Sequence, residues 1–476
     1  MKKLLTALIS LLVLTGCNQV ISDNSSVNKD DDEKESIDIN DVDSTTDYNG
    51  ISCTTLDLSS DVTIDDEGTY LLTGSYSNVT VTIDAGGSDV VWLILDNLTV
   101  SNSDAPVIYV KNAGCTKITI NGENTLSDSS TYKAIDDEDV DAVIYAKDDV
   151  IFNGDGTLNI TANYDKGISA HDSLIIYSGT FNITSKGKAI NVHDDLTIED
   201  GTFNINSKDD ALHCKEGIIT INGGTFNIAS GDDAIHTQTT LTINGGTINV
   251  TSCVEGIEGQ YIIINDGDIS VVASDDGLNA RDPEASGNSM MQGEDASITI
   301  NGGSIYVNSN GDGIDSNGDI YVNGGETIVF AQENGANAAF DYDGSSTITG
   351  GTLIAIGYST MAQYPSTNNT QVAFCYNTSS TYQKGSTITI SDSSGNTIYT
   401  IDSIKSFNSI VFSSADLVLN DTITVDINGT SSSLTLISYA VGSSGMGGGG
   451  MNQGGMQGGG MNQGGMKGGM KGGVGY

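Results

Sequence analysis

Residues 208–228 read KDDALHCKEGIITINGGTFNI, and residues 231–250 read GDDAIHTQTTLTINGGTINV. Both stretches begin with an acidic pair, continue into an apolar residue, and end in the same Asn-Gly-Gly turn followed by a strand-like run. A threonine directly after a turn glycine recurs 22, 23 and 22 residues apart, at Thr180, Thr202, Thr225 and Thr247. Self-similarity at this spacing, in residues that favour strands, predicts a solenoid in which each repeat forms one coil.

The repeats predict a right-handed single-stranded parallel β-helix with about 22 residues per coil, closed by a small C-terminal β module. Strands of neighbouring coils pair about 4.8 Å apart, so residues at one repeat position form a column. The apolar column contains Ile168, Ile190, Leu212, Ile235, Ile257, Leu278 and Ile314. Two residues later a column of mostly small residues includes Cys214, which we interpret as a core residue rather than a nucleophile.

Composition supports this fold class and excludes one class of partner. The 476 residues include 59 Gly and 3 Pro, as expected for short strands joined by tight turns. A formal net charge of −44, from 62 acidic against 18 basic residues, argues against nucleic-acid binding. The six cysteines contain no CxxC pair, so neither a zinc site built on cysteines nor a disulfide framework is indicated.

The chain divides into five segments by composition. Lys2, Lys3 and an apolar run end in Leu-Thr-Gly-Cys17, which resembles the lipobox of exported bacterial lipoproteins. We therefore expect a lipid anchor at Cys17 in the bacterial cell envelope, with an ordinary signal peptide as the alternative. The predicted segments are a signal peptide with its lipobox (1–17), an acidic disordered tether (18–50), the β-helix (51–383), a C-terminal β module (384–440) and a Gly/Met-rich disordered tail (441–476).

Acidic residues keep register just before the apolar column, and no basic residue shares their column on those coils. Carboxylates stacked about 5 Å apart repel one another, and hard cations with oxygen ligands would relieve that repulsion. Ca²⁺ accepts the irregular set of oxygens that such a ladder offers. The candidate calcium ligands are Asp209, Asp210, Asp232, Asp233, Glu255, Asp275, Asp276, Asp312 and Asp315. The alternative is a solvated acidic face that binds no ion.

Long or hydrogen-bonding side chains form a second outward column, three residues after the apolar one. Its candidate ligand-binding members are His171, His193, Lys215, Gln238, Gln260 and Arg281. Donors beside a cation-loaded ladder suit a polymer of uronic acids, because both groups bind sugar carboxylates. Ordinary solvent-facing residues are the alternative, and a zinc site on the pairs His171/His193 or His213/His236 is a further one.

The lipobox, the acidic-pair and Ile-Asn-Gly-Gly-Thr phrases and the C-terminal β module together resemble a bacterial family of carbohydrate-binding parallel β-helix proteins. The resemblance covers residues 51–439. It implies a fold similar to that of pectate lyases, bound calcium, and binding of plant-cell-wall polysaccharide, including acidic pectic chains. It also implies that the acidic pairs Asp209/Asp210, Asp232/Asp233 and Asp275/Asp276 supply calcium ligands.

Three functions fit these observations. The first is a surface lipoprotein that binds polysaccharide through calcium without cleaving it. The second is a calcium-dependent polysaccharide lyase, in which Lys215 or Arg281 would abstract a proton from the sugar. The third is a calcium-stiffened adhesin with a protein partner.

Overall fold

A computed structural model describes residues 37–442, except 49, 134, 136–138, 286–292 and 336. The predicted signal peptide with Cys17, most of the predicted tether and nearly all of the Gly/Met-rich tail therefore lie outside the described residues. Within the described part, the one helix is a 3₁₀ turn at Ile39–Asp41. No helix among these residues is long and apolar enough to cross a membrane.

The described residues form 42 β-strands, numbered here in chain order. The first fourteen are β1 Cys53–Thr55, β2 Val62–Ile64, β3 Gly68–Ser77, β4 Val81–Asp84, β5 Val90–Ser101, β6 Ile108–Asn112, β7 Cys115–Asn121, β8 Glu123–Ser127, β9 Ala142–Ala146, β10 Val150–Gly154, β11 Thr157–Ala162, β12 Lys166–Ala170, β13 Leu174–Ile176 and β14 Thr180–Ser185. The next fourteen are β15 Ile190–Val192, β16 Leu196–Ile198, β17 Thr202–Asn206, β18 Leu212–Cys214, β19 Ile219–Ile221, β20 Thr225–Ala229, β21 Ile235–Thr237, β22 Thr240–Ile243, β23 Thr247–Cys253, β24 Ile257–Gly259, β25 Tyr261–Ile264, β26 Asp268–Ala273, β27 Leu278–Ala280 and β28 Ser297–Ile300. The last fourteen are β29 Ser304–Ser309, β30 Ile314–Ser316, β31 Asp319–Val322, β32 Glu326–Phe330, β33 Asp341–Tyr342, β34 Ser346–Ile348, β35 Thr352–Gly357, β36 Ala373–Tyr382, β37 Thr387–Ser391, β38 Thr397–Asp402, β39 Phe407–Ser413, β40 Thr422–Ile427, β41 Thr430–Thr435 and β42 Ala440–Val441.

The strands stack coil on coil in parallel, which confirms the predicted parallel β-helix; it has about 12 coils of about 23 residues. One sheet has 12 strands in the order β2-β4-β6-β9-β12-β15-β18-β21-β24-β27-β30-β33. The other two strands of a typical coil, such as β16 and β17, extend parallel ladders of a 26-stranded sheet. Thr180 pairs with Thr202, Thr202 with Thr225 and Thr225 with Thr247, so the sequence repeat is the structural repeat.

The interior is filled by columns of the same residue type. The predicted apolar column is buried from Ile168 to Ile314. On another side of the coil, Phe181, Phe203 and Phe226 stack with ring centroids 5.1 and 4.7 Å apart. Cys214 is fully buried, and burial raises its pKa to about 12, as expected for a core thiol. Each coil therefore buries its inward side chains by stacking them on the same residue types of the preceding and following coils.

Glycine is required at the turn that ends the repeated phrase. Gly224 has φ +99° and Gly246 has φ +95°, a region that other residues rarely adopt. A Cβ atom on Gly246 would lie 2.8 Å from the backbone oxygen of Gly224 on the previous coil. The second glycine of the turn thus permits both the backbone angle and the close stacking of coils.

The two ends of the β-helix differ from its middle. Residues 37–48 pack against the first coils: Lys117 Nζ donates to the Asp43 carbonyl at 2.7 Å, and Tyr48 meets the edge of Trp92. This packing contrasts with the disordered tether predicted there. At the other end β36 pairs antiparallel with β39, and β38-β37-β40-β41 form a separate antiparallel sheet, which shares one apolar core with the last strands of the large sheet. The antiparallel part thus begins at β36, before the predicted boundary at residue 384.

Candidate functional site

The acidic residues before the 12-stranded sheet lie in one column, which we call the acidic ladder. Backbone bonds between coils hold this corner in register: Ala211 N donates to the Asp233 carbonyl at 3.0 Å, and Gly256 N donates to the Asp276 carbonyl at 3.0 Å. The ladder contains Asp210, Asp233, Glu255, Asp276 and Asp312 on successive coils. The structure thus brings together acids that are far apart in the sequence, and it divides them into two chemically different halves.

The first half of the ladder is paired with basic side chains of the protein. Lys188 Nζ lies 3.0 Å from Asp209 Oδ1 and also contacts Asp210 Oδ2. His236 Nδ1 lies 3.3 Å from Asp233 Oδ2 and 3.7 Å from Asp210 Oδ2. Burial alone would raise the pKa of Asp210, but the hydrogen bonds from His236 and Lys188 together hold it below its ordinary value.

The ladder continues through a pair of glutamates that share a cationic neighbourhood. Arg281 Nε donates to Glu258 Oε1 at 2.6 Å, and His236 Nε2 lies 3.5 Å from the same oxygen. Burial and the neighbouring Glu258 raise the pKa of Glu255 to about 9. A proton shared by this pair is therefore favoured on Glu255, whereas His236 and Arg281 favour the charged form of Glu258.

The second half contains carboxylates without a basic partner, and we call Asp276, Asp312 and Asp315 the carboxylate pocket. One oxygen from each of the three lies within 4.8 Å of the others. Backbone N–H groups fix two of them: Asp312 N donates to Asp276 Oδ1 at 2.5 Å, and Ala338 N donates to Asp312 Oδ1. Among the described residues, no Lys, Arg or His forms an ion pair with the pocket.

Burial, and after it mutual repulsion, raises the pKa values of the carboxylate pocket. Burial, with the charges of Asp341 and Asp276, raises the pKa of Asp312 to about 7. Burial and Asp275 raise the pKa of Asp276 to about 6. The pKa of Asp315 is raised well above its ordinary value by burial and then by Asp312. A divalent cation would replace this repulsion with attraction, and the donor set consists of carboxylate oxygens, which suit a hard cation such as Ca²⁺.

The candidate calcium ligands occupy three groups in the structure. Asp209, Asp210 and Asp232 form one group, Asp233 and Glu255 join Glu258 in the next, and Asp276, Asp312 and Asp315 form the carboxylate pocket. Asp275 is exposed at the rim and acts on its neighbours through its charge. No basic residue shares the acidic column on the coils of the ladder, but basic side chains from other positions reach its first half. Lys188 extends from the coil above, and His236 extends from the neighbouring column.

The first members of the predicted donor column are the two histidines, and both have partners within the protein. His171 and His193 have parallel rings 6.4 Å apart and line a shallow groove of about 440 Å³ with Lys147. Tyr145 Oη lies 2.8 Å from His171 Nε2, and His193 Nδ1 lies 2.8 Å from Asp194. Asp172 and Asp194 line the same groove, and His193 Nε2 lies 3.3 Å from Glu216. Carboxylates of the protein therefore already engage part of this donor set, on the coils that precede the ladder.

The other donors extend along the same side of the helix. Lys215 is exposed with its Nζ 3.7 Å from Glu216, and Gln238 is exposed. Gln260 Nε2 donates to the Asp295 carbonyl at 2.7 Å. Arg281 pairs with Glu258. Burial would lower the pKa of Arg281, but the charge and hydrogen bond of Glu258 raise it. A guanidinium held in its charged form is poorly suited to abstract a proton from the sugar.

The histidine pair His213/His236 was the alternative zinc site. The rings are 5.2 Å apart, and one donor atom from each lies within 4.8 Å of an Asp210 oxygen. Burial lowers the pKa of His213 to about 4, so this imidazole is neutral at neutral pH. The Lys188 ammonium already contacts Asp210, so a metal ion here would have to displace it.

Sequence reasoning did not include Glu258 and Asp341 among the candidate ligands. Glu258 comes one residue after Ile257 of the apolar column and pairs with Asn279. Asp341 pairs with Asp315, which comes one residue after Ile314 of the same column. The signal for Glu258 was its place in the column beside His236. Asp341 lies on a coil where the repeated phrase is absent, so only the strand register reveals it.

Comparison with known proteins supports one family. A family model described as "Carbohydrate-binding domain-containing protein" matches residues 59–290 and 241–373, more than half of the chain. A carbohydrate-binding domain-containing protein of Acetivibrio thermocellus is 30% identical over 192 residues, which is 39% of this chain and 65% of that relative, slightly less than two thirds. A structure of a polysaccharide lyase-like protein from C. thermocellum, a gadolinium derivative, has a TM-score of 0.39 and 24% identity, covering 50% of this chain and 92% of that one. The match to the family model confirms the resemblance seen in the sequence: this chain belongs to the family of carbohydrate-binding domain-containing proteins.

Proposed function

We propose that this protein binds an acidic polysaccharide, such as polygalacturonate or another plant-cell-wall glycan, through Ca²⁺ held on the acidic ladder, and that it does not cleave the chain. The observation that carries the proposal is the carboxylate pocket: three acids without a basic partner among the described residues, on the outward side of a β-helix. Membership of a carbohydrate-binding family supplies the class of ligand.

The donor set fits the ion. Asp276, Asp312 and Asp315 offer carboxylate oxygens alone, and Ca²⁺ takes six to eight oxygens in flexible geometry. These three residues would hold the ion, with Asp341 and the exposed Asp275 adding negative charge around it. Bound Ca²⁺ supplies positive charge that attracts a uronate carboxylate. Without it, a chain with a net charge of −44 repels an anionic polymer.

The neighbouring donors would orient the polymer. Lys147, His171 and His193 line a groove together with Asp172 and Asp194 on the coils before the ladder, and Arg281 is paired with Glu258. Burial lowers the pKa of His171, so the charged donors here are the Lys147 amine and the Arg281 guanidinium. Hydrogen bonds from charged donors to carboxylates are about twice as strong as neutral ones and require defined geometry. A polymer that follows the solenoid axis would meet these donors first and the carboxylate pocket a few coils later.

We also propose that the protein is exported and anchored to the bacterial cell envelope through lipidated Cys17. The short apolar run before Leu-Thr-Gly-Cys17 supports this assignment. Metabolic labelling with a radioactive fatty acid should mark the wild type and not Cys17→Ala. Equal labelling of both would contradict the anchor.

Affinity electrophoresis tests the binding proposal. Wild type should be retarded by polygalacturonate in a gel containing Ca²⁺ and should migrate freely in EGTA. Asp312→Asn combined with Asp315→Asn should abolish the retardation, whereas Asp268→Asn, an exposed acid outside the ladder, should retain it. Retardation that persists in EGTA would refute the role of calcium. Ultraviolet absorbance from unsaturated sugar in the gel eluate would instead identify a polysaccharide lyase. Failure to bind any polysaccharide would favour the third function, a calcium-stiffened adhesin with a protein partner.

A further inference from the structure

A second outward surface of the β-helix carries a regular array of neutral side chains. On β11, β14, β17, β20 and β23 the first outward column is threonine and the second is asparagine. We call this surface the Thr–Asn face, and its members are Thr157, Thr180, Thr202, Thr225, Thr247, Asn159, Asn182, Asn204, Asn227 and Asn249. All ten are half-buried or exposed, so five coils present one pattern to solvent.

The Thr–Asn face is neutral on a strongly acidic protein. Its ten positions hold no charged residue, although the chain has a net charge of −44. Charge returns at both ends of the array: Thr157 pairs with Glu123 on the preceding coil, and Thr247 pairs with Asp268 on the following coil. The acids nearest the threonine column are Asp155 and Asp200, which flank the array at the preceding turn. The ten positions themselves thus form a neutral strip that a polymer without charge can approach.

The asparagine amides are already aligned by one another. Asn182 Nδ2 donates to Asn159 Oδ1 at 2.8 Å, Asn204 Nδ2 donates to Asn182 Oδ1 at 2.8 Å, and Asn227 Nδ2 donates to Asn204 Oδ1 at 3.0 Å. An amide has two N–H donors and an oxygen with two lone pairs. Within the described part of the chain, each amide in the middle of this ladder keeps one donor and one acceptor for a ligand.

A groove runs beside this amide ladder. It has a volume of about 450 Å³ and is lined by residues of four successive coils. Its sides are the asparagine column and the next outward column, which includes Thr161, Thr184 and Asn206. Four coils at about 4.8 Å spacing make the groove about 14 Å long, parallel to the solenoid axis. That shape suits a linear chain rather than a compact ligand.

We propose that the Thr–Asn face is a second polysaccharide site, which binds a neutral, hydroxyl-rich glycan chain along the solenoid axis without calcium. Each sugar hydroxyl is both donor and acceptor, as is each free amide edge and threonine hydroxyl. The inference rests on the carbohydrate-binding part of the proposed function and is independent of the carboxylate pocket.

Other occupants fit the face less well. An acidic polymer would be repelled by the surrounding surface, and a basic one would find no carboxylate within the array. A second copy of the chain would bring a further net charge of −44 against the first. None of the ten positions is aromatic, so binding would depend on many hydrogen bonds along a polymer rather than on ring stacking.

The test is affinity electrophoresis of the mature chain through hydroxyethylcellulose, xyloglucan and galactomannan, all in EGTA. Asn204→Ala removes the middle of the amide ladder. Thr184→Leu fills the groove with an apolar side chain and leaves the ladder intact. The matched control is Asn244→Ala, which breaks an equivalent exposed ladder at the turn, where Asn244 Nδ2 donates to Asn222 Oδ1 at 2.7 Å.

Wild type should be retarded by at least one of the three neutral polymers. Asn204→Ala and Thr184→Leu should each weaken that binding about tenfold, which is the effect of one lost hydrogen-bond pair. Asn244→Ala should stay within about twofold of wild type, because it acts away from the groove. Cooperative urea unfolding of all three variants, as of wild type, would show that they are folded whether or not polygalacturonate binds.

The proposal is overturned if wild type migrates freely through all three polymers in EGTA. It is equally overturned if Asn244→Ala loses as much affinity as Asn204→Ala, because the ladders would then act through stability alone. Neutral binding that survives while polygalacturonate binding fails would refute the calcium proposal and support this one.

Discussion

Replacing Asp312 with Asn should stabilise the calcium-free protein at alkaline pH. Asp312 Oδ1 accepts a hydrogen bond from Ala338 N, and its own N–H donates to Asp276 Oδ1. The amide oxygen of Asn can accept the bond from Ala338 N, and the bond to Asp276 comes from the backbone N–H, which the substitution does not change. The substitution therefore removes a negative charge from the carboxylate pocket while keeping its hydrogen bonds.

The magnitude follows from the pKa of Asp312, which burial and neighbouring charges raise from 3.8 to about 7. A difference of about 3 units corresponds to roughly 4 kcal/mol at full ionisation. Partial exposure and coupling to its neighbours reduce this to about 1–2 kcal/mol. A raised carboxyl pKa favours the folded state at low pH, and that contribution is lost as pH rises from about 4 through about 7. The gain from Asp312→Asn should therefore appear near pH 8 and vanish near pH 4.

Urea unfolding in EGTA and in Ca²⁺ checks this prediction. Near pH 8 the variant should exceed wild type by about 1–2 kcal/mol in EGTA, and wild type should regain the lead in saturating Ca²⁺. Asp268→Asn, which removes an exposed charge outside the pocket, should change stability by less than about 0.5 kcal/mol in either condition. A variant less stable than wild type in EGTA would refute the repulsion inferred for the pocket.

Three further predictions concern the ladder and its scaffold. Lys188→Met should lower the free energy of unfolding by about 2–3 kcal/mol near neutral pH, because buried Asp210 loses its ammonium partner, and urea titration should show it. Gly256→Ala should lower the free energy of unfolding by about 2–4 kcal/mol in the same titration, because the added Cβ would lie 2.2 Å from a backbone oxygen of the next coil. The control Ala211→Gly, at the equivalent position of another coil, should lower it by about 1 kcal/mol or less. Calcium affinity, measured by calorimetry, should weaken as pH falls from about 8 to about 5. Protons compete with Ca²⁺ for the carboxylates of the pocket, whose pKa values are raised into this range. An unchanged affinity would place the ion elsewhere.

The coil repeat and the outward columns could be predicted because each coil meets its neighbours at the same positions. The spacing of the Asn-Gly-Gly turns was sufficient to place Asp210, Asp233 and Asp276 on one side of the molecule, as found. Column membership depends only on register, and register follows from where apolar residues and glycines recur.

The chemical division of the ladder could not be predicted in the same way. Lys188 occupies the acidic column one coil above Asp210, and whether its long side chain extends to that carboxylate depends on rotamers and packing. Asp341 enters the carboxylate pocket from a coil without the repeated phrase, so periodicity does not identify it. The packing of residues 37–48 was missed because a single buried Ile39 and a few backbone contacts leave no periodic signal.

Calorimetric titration of polygalacturonate into the protein, first in EGTA and then in saturating Ca²⁺, tests calcium-dependent polysaccharide binding most directly. Titration into wild type should give a heat of binding in the Ca²⁺ buffer and no such heat in EGTA. The double variant Asp312→Asn/Asp315→Asn should give no heat of binding in either buffer. Equal binding with and without the ion, or full binding by the double variant, would contradict a calcium-loaded carboxylate pocket as the site of recognition.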